Sequence, residues 1–541
     1  MFKTRRKSRT IAFTRDSTGL VKAASSWQAA FWNVANMMGS KFPWSVARLG
    51  LFPAALILGG PPYLWAMFLV GLASYVLGII YVQIASAIPR SGADYVIPSR
   101  LMGPFWGWLE SWMIVCSLVT FWGYSTWVAL RNIKQLVDIL RIGGLTTLSV
   151  PWVLAGVPAF LLGTLLIFVG VLVCLLQAKR YYKFVGLLTA AAVVGLVVTA
   201  AGAVMVSPAG VDANMQKLIG LSSTAVVQKA ISHGFDPNAK LDVAGSAELI
   251  GLALFGIGGF QYSATISAEL KGDVRRSLLV SIIGSLTIFL VIFLPLVWLL
   301  LSKFDYNLVV GWSYLFWNKI PGAPFDLPPI NALLLTLASP QLAILWAIVG
   351  LIVLLGAWVT IPAGMLYCNR MILSWGIDRF IPEKLSEVNP KLGQPMQLVI
   401  AEGVLVAIFF SLTLVNLNPV AYLWWSTLLL FPSFLFPAIS ALLLPRRHPE
   451  LMSSVPWGRW LTPLAILWIL IIVPIYGFAV LAGAIPSLSV ETSVWQYALS
   501  SGLVVTGLVI AIGAVIYVIV REANVKRGID VNLIFKSIPP E

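Results

Sequence analysis

Apolar residues run along this chain without alternation for about 20–30 positions at a time. That length crosses a hydrocarbon core of about 30 Å at about 1.5 Å per helical residue. Strands of a membrane barrel would alternate polar and apolar positions, and these runs do not. The pattern predicts twelve membrane-spanning helices, over 25–57, 64–88, 104–129, 153–178, 184–206, 245–270, 277–301, 341–372, 396–416, 419–443, 460–484 and 497–520. The expected organisation is a tail of 1–24, five helices over 25–206, a polar connection over 207–244, five more helices over 245–443, two helices within 444–520, and a tail of 521–541. The basic start MFKTRRKSRTIAFTRDSTGL lacks the long apolar core and small-residue site of a leader, so no cleavable signal is expected.

Two runs are interrupted. NMMGSKFPW, Asn36 to Trp44, places Gly39, Ser40, Lys41 and Pro43 inside the first span. Gly and Pro break helices, and a lysine in hydrocarbon is costly. The sixth span carries LALFGIGGFQYSATISAELKGDVRRS, with Gly256, Gly258 and Gly259 close together at mid-membrane. Each glycine costs about 1 kcal/mol of helix propensity relative to Ala. Small residues there serve close helix packing, or the helix unwinds and opens its backbone to a buried polar site. Spans 1 and 6 cross in opposite directions with five spans per unit, which is an inverted repeat. Interrupted helices at matching positions of two halves point to a transporter's central site. Half-helix N-termini there offer free N–H groups to an anion.

Composition closes off other classes. Of 541 residues, 59% are hydrophobic and 11% charged, against about 25% charged in soluble domains; the mean hydropathy is +0.91. With the N-terminus inside, 25 of the 36 Lys and Arg lie on inner segments, eight on outer loops and three, Lys41, Arg48 and Arg370, within spans. This bias follows the positive-inside rule and puts both tails in the cytoplasm of a plasma-membrane protein. It also accounts for the net charge of +15 without nucleic acid; the basic KTRRKSR reads as retention beside anionic lipid. Cys116, Cys174 and Cys368 fall inside spans and read as buried thiols, while His233 and His448 lie in loops on opposite sides. There is no His/Cys metal pattern and no glycine-rich phosphate loop, so neither a metal nor a cofactor is expected.

Four motifs carry a resemblance. NMMGSKF is similar to a first-helix pattern ending Gly-Ser-Gly-Val/Ile-Phe. ASAIPRSGADYVIPSRLMGPFWGW resembles the Pro-Arg-x-Gly-Gly-x-Tyr loop after a second helix. FGIGGFQYSATISAELKGDVRRS resembles a sixth-helix pattern, Phe-x-Gly-Phe-Glu followed by Glu-x-Lys-Asn-Pro-x-Arg. CNRMILSWGIDRFIPEKLSEVNPKLGQP resembles the exit of an eighth helix. In this order, over about residues 25–395, they resemble the amino acid–polyamine–organocation superfamily, whose members have the leucine-transporter fold.

The resemblance implies an all-α membrane protein with broken helices 1 and 6. It implies alternating access, driven by H⁺, Na⁺ or exchange. Met38, Gly39 and Ser40 would cradle a substrate carboxylate, and the carbonyls of Phe255, Gly256, Ile257, Gly258 and Gly259 would accept its amino group. The chain departs from the pattern at Lys41, which replaces the motif's last glycine. Lys41 either snorkels into a wet vestibule, replaces a coupling cation, or binds an anionic group. Gln261 stands where the pattern has Glu. Thr360 lies about where sodium-coupled relatives use hydroxyls; a lone threonine in a helix also back-bonds to its own carbonyls.

Further candidates follow from the residues. Ser117, Thr120 and Tyr124 form a polar stripe at helical spacing, lining solute or gluing helices. Glu110 and Glu402 are expected to reach the interface or pair with an arginine. Glu269, Lys271, Arg275 and Arg276 cluster at the inner end of span 6, an inner gate or a solvated charge run. Arg48 and Glu248 are candidates for an outer gate. The function expected is a secondary transporter of an amino acid or related small amine-containing solute in a lipid bilayer. Polyamine or nucleobase transport, a channel or sensor on the same fold, and a lipid-directed enzyme are the alternatives.

Overall fold

The structure, a computed structural model, describes residues 18–38, 61–237, 253–254, 256–317, 320–325, 327, 331–415, 428–484, 502–529 and 531–539. Among these residues ten helices are long and apolar enough to cross a membrane. They fall on ten of the twelve expected spans; the other two, over 25–57 and 245–270, include residues outside the described set. The protein is an all-α, multi-pass membrane protein.

The helices that position the site are α1 (Ser26–Met38), α2 (Pro61–Ala87), the short α3 (Ala93–Leu101), α4 (Pro104–Ile142), α5 (Gly156–Cys174) and α6 (Ala178–Val204). After the sixth segment come α7 (Val274–Ile288) and α8 (Leu294–Lys303), joined by a π-helical turn, Phe289–Phe293. Pro295 lacks the N–H that an α-helical ladder needs, and the widened turn absorbs that gap. Then follow α9 (Ala343–Trp358), α10 (Thr360–Ile377), α11 (Met396–Leu414), α12 (Pro432–Arg447), α13 (Leu461–Ala484), α14 (Gly502–Lys526) and the terminal α15 (Val531–Lys536).

Helix α4 runs through the centre, packed by α11, α3, α9 and α10. It continues to Ile142, well past the expected end at 129. The polar residues there read as a loop in sequence, yet they support the helix. Lys134 Nζ reaches Asp138 Oδ2 at 2.9 Å, and Arg141 Nη2 lies 3.3 Å from Asp138 Oδ1; such i,i+4 and i,i+3 pairs favour continuation. Helix α1 packs against α7 and α6. The connection expected over 207–244 is also partly helical, at Pro208–Ile219 and Ser223–Ile231.

The sixth segment does not run as a helix to residue 270. Ala253–Leu254 and Gly256–Ile257 are helical, Gly258 to Gln261 turn, and two single 3₁₀ turns follow, Tyr262–Thr265 and Ser267–Glu269. This irregular stretch is buried apart from partial exposure at Ala268. Irregular backbone at such a place must find partners within the protein. Here i→i+3 bonds supply some, such as Ala264 N to Gln261 O at 3.0 Å and Glu269 N to Ile266 O at 2.9 Å.

Candidate functional site

The irregular sixth segment is held against α1 by one side chain. Asn33, fully buried, shares its two Nδ2 hydrogens among the Phe260 carbonyl at 2.5 Å, Ser263 Oγ at 2.9 Å and the Ser281 carbonyl of α7 at 3.1 Å. Its Oδ1 accepts from Ser263 N at 2.9 Å. One amide thereby satisfies groups that the missing helix leaves over. Sequence reading passed over Asn33, although an asparagine in an apolar run is itself a sign of a polar partner across a helix interface. Asn33→Leu would orphan several buried groups, each costing about 1–3 kcal/mol. The expected result is a lower thermal transition in detergent than for Asn33→Asp or wild type; an unchanged transition would show that the segment does not depend on this amide.

Three residues on, Asn36 meets Gly259. Gly259 has φ +120°, and a Cβ built on it would lie 3.0 Å from the Asn36 carbonyl carbon and 3.1 Å from Met37 N. Glycine lets the two backbones approach this closely. Gly259 N donates to Gln261 Oε1 at 3.1 Å. Met38 is buried beside this contact region on α1. Gly39, Ser40, Lys41 and Arg48, and on the other segment Phe255 and Glu248, lie outside the described residues. Gly256, Ile257 and Gly258 are buried at the start of the irregular stretch.

One end of the bundle gathers residues 18–25, 89–103, 266–276 and 378–395, and is called here the basic face. It is closed in this structure. Arg370 of α10 grips Glu269 with both ends of its fork: Nε to Oε1 at 2.6 Å and Nη2 to Oε2 at 2.9 Å. Its Nη1 donates to Gln394 Oε1 at 3.0 Å, and Tyr182 Oη donates to Glu269 Oε2 at 3.2 Å. The backbone on either side is stitched too. Ala23 N and Ala24 N donate to the Glu269 carbonyl at 2.9 and 3.2 Å, and Lys271 N to Ala24 O at 2.9 Å. Deeper in, Trp32 Nε1 donates to Tyr181 Oη at 3.1 Å, and Tyr181 Oη donates to the Pro362 carbonyl at 3.0 Å.

Of the residues grouped with Glu269 in sequence, Lys271, Arg275 and Arg276 are exposed, and their side chains do not join this cluster. Arg275 lies 4.7 Å from the Trp457 ring, and Arg276 N is capped by Asp273 Oδ1 at 2.7 Å. Glu269's ionic partner is Arg370, about a hundred residues away. The sequence signal was there to find: an arginine in the middle of an apolar helix needs an acid from another.

A second polar cluster lies alongside. Gly92 opens α3 with φ +80°; a Cβ there would lie 2.6 Å from the Arg370 carbonyl. Gly92 N donates to Thr265 O at 2.9 Å, tying α3 to the irregular segment. Two residues on, Asp94 is buried. Its Oδ2 accepts from Tyr367 Oη at 2.7 Å and Thr265 Oγ1 at 2.8 Å, and its Oδ1 lies 2.6 Å from Tyr81 Oη. Among the described residues no Lys or Arg pairs with it. Outward of Asp94, Arg100 pairs with Asp378 at 2.5 and 2.8 Å. The ring of Phe535 on α15 covers that guanidinium at 4.9 Å.

Glu110 and Glu402 do not reach the interface as expected. Glu110 is fully buried, with both carboxyl oxygens unpartnered among the described residues. Glu402 accepts from Asn369 Nδ2 at 2.5 Å and is otherwise enclosed. Both sit on helix faces that the bundle covers, a fact that spacing within one helix does not carry. Ser117, Thr120 and Tyr124 are buried on α4, with Thr120 Oγ1 back-bonded to the Cys116 carbonyl at 2.8 Å. Thr360 is buried where α10 begins.

The amino acid permease family matches residues 26–515. The chain is also 22% identical over 340 residues to the branched-chain amino acid permease BcaP of Lactococcus lactis subsp. cremoris (strain MG1363); that match covers 61% of this chain and 64% of the relative. The family match takes in Asn33, Gly259 and the Glu269–Arg370 pair, and the chain belongs to the amino acid permease family.

Proposed function

We propose that this permease is a secondary transporter that carries an amino acid across the plasma membrane by alternating access, with both termini cytoplasmic. The observation that carries this reading is the irregular, buried stretch from Gly258 to Glu269 beside α1. Helices interrupted at mid-membrane present backbone donors and acceptors, which suit a zwitterion. The basic face is then the cytoplasmic gate, and Glu269 with Arg370 its lock. The solute class follows from the family and from the relative's name, so leucine, isoleucine and valine head the panel to be tried.

Counterflow tests this reading. Purified protein in liposomes preloaded with one unlabelled amino acid should draw in the same labelled one with no ion gradient. Absence of counterflow with every amino acid in the panel would remove the proposal.

Lys41, at the first break, is the proposed coupling charge. A fixed cation there makes sodium unnecessary, and a lysine in a poorly solvated site gives up its proton more readily. Lys41→Met keeps much of the volume and removes the charge. In sodium-free liposomes with an imposed pH gradient it should lose accumulation and keep slow exchange. Full accumulation by Lys41→Met, or a sodium requirement in wild type, would count against this role.

A further inference from the structure

Tyr81 holds one hydroxyl hydrogen and faces two acceptors. Its Oη is 2.6 Å from Asp94 Oδ1 and 2.8 Å from the Ser433 carbonyl. In α12 the Ser433 carbonyl would normally receive the N–H four residues on, but that residue is Pro437, which has none. A buried carbonyl left over in this way requires a donor. The Tyr81 hydrogen supplies it, so the 2.6 Å contact needs its hydrogen from the other side, from Asp94. With one proton on Oδ1 every group is satisfied. Asp94 donates to Tyr81, Tyr81 donates to Ser433, and Oδ2 accepts from Tyr367 and Thr265.

The surroundings agree. Facing Asp94 are Tyr81 from α2, Tyr262 and Thr265 from the irregular segment, Tyr367 from α10 and Glu110 from α4. Helix α12 contributes the Ser433 carbonyl. The two arginines nearby are committed elsewhere, Arg370 to Glu269 and Arg100 to Asp378. Burial without a cation raises the Asp94 carboxyl above its ordinary range, while its hydrogen bonds with Tyr81, Tyr367 and Thr265 pull it down less strongly. Glu110 adds a second buried carboxyl within electrostatic reach, itself without a partner among the described residues.

We propose that Asp94 is a proton-binding site of this permease, protonated while the irregular segment and α10 close over it and discharged when they part. Thr265 and Tyr367 come from the two elements that the Glu269–Arg370 lock also joins. When that lock opens, Oδ1 loses its proton to water on the basic face, and Asp94 remains as a solvated carboxylate. Reclosing without a proton would strand a buried anion, which couples closure to proton uptake. The coupling rests on the alternating-access reading above, whereas the protonation does not.

Asp94→Asn is the decisive variant. Its Nδ2 can donate to Tyr81 while Oδ1 accepts from Tyr367 and Thr265, so it copies the protonated state and keeps the fold. Infrared spectra of the full-length protein should show a buried carboxylic C=O band that vanishes as pH rises. That band should be missing in Asp94→Asn and present in Glu110→Gln. A native acid with a raised pKa confers stability fully present below its unfolded pKa and lost as pH rises through the folded one. Wild type should therefore lose thermal stability with rising pH over that window, and Asp94→Asn should lose less. In liposomes, Asp94→Asn should fail to accumulate solute on a pH gradient while still showing measurable counterflow. An intact band in Asp94→Asn, or its loss in Glu110→Gln alone, overturns the site. Wild-type accumulation by Asp94→Asn overturns the coupling. Counterflow in wild type without any pH-driven accumulation would also refute the coupling and leave the transporter reading standing.

Discussion

Arg370→Met is expected to abolish uptake and to lower thermal stability in detergent more than any other single change at the basic face. Arg370 and Glu269 have side chains at most 1% exposed. Removing one partner of such a pair leaves the other charge buried without compensation, at a cost of about 3–5 kcal/mol. Here the loss extends further, since Gln394 Oε1 also loses its donor. Glu269→Gln should be milder, because an amide still accepts from the guanidinium. Double replacement by Glu269→Leu and Arg370→Met should recover much of the stability, as paired charges exchanged for apolar groups often do. It should not recover transport, for which the lock must both close and release. A double-mutant cycle on thermal stability would then show strong coupling between the two positions. Additive effects, or wild-type uptake by Arg370→Met, would show that the pair does not hold the gate.

This lock also marks where sequence reading stops. The apolar runs announced the helices, because a bilayer permits few other ways to satisfy a backbone. The glycines at 256, 258 and 259 announced the irregular segment, since their cost needs a reason. Glu269 stood out in the sequence as a candidate, but which residue it pairs with did not, because the two are joined only when α10 folds against the segment. Asp94 was read as part of a loop motif and nothing more. Its meaning comes from Tyr81, Thr265, Tyr367 and Pro437, which lie on four separate elements. Polar residues within apolar helices are legible as needing partners, and their identity is a tertiary fact. The same holds for the polar run from Arg131 to Arg141, which resembles a loop until Lys134, Asp138 and Arg141 are seen to pair along one helix face.

Gly259→Leu should abolish transport, and the reason is more specific than a need for small residues. Two independent costs meet at this position. The backbone at φ +120° lies outside the range that residues with side chains readily adopt, and such strain costs on the order of 1–3 kcal/mol. A Cβ would also press on Asn36 and Met37, at 3.0 Å from the Asn36 carbonyl carbon and 3.1 Å from Met37 N. Two of the three nearest atoms are backbone and cannot rotate aside, so α1 must move; overpacking of this kind costs about 1–3 kcal/mol more. Gly258 is different. Its N–H still donates to Leu254 O at 3.1 Å in the helical pattern, so alanine there should be tolerated better. The comparison that isolates the effect is Gly258→Ala beside Gly259→Ala, read as uptake per molecule of correctly inserted protein. Gly259→Ala should lose most uptake and Gly258→Ala should keep more, while both remain in the membrane. Asn33 gives an internal check, because it fixes Phe260 and Ser263 just beyond the turn. If close approach of α1 is what matters, Gly259→Ala and Asn33→Leu should be non-additive. Normal uptake by Gly259→Leu would mean that the two segments need not touch for transport, and the reading of this contact as part of the carrier's moving centre would fall.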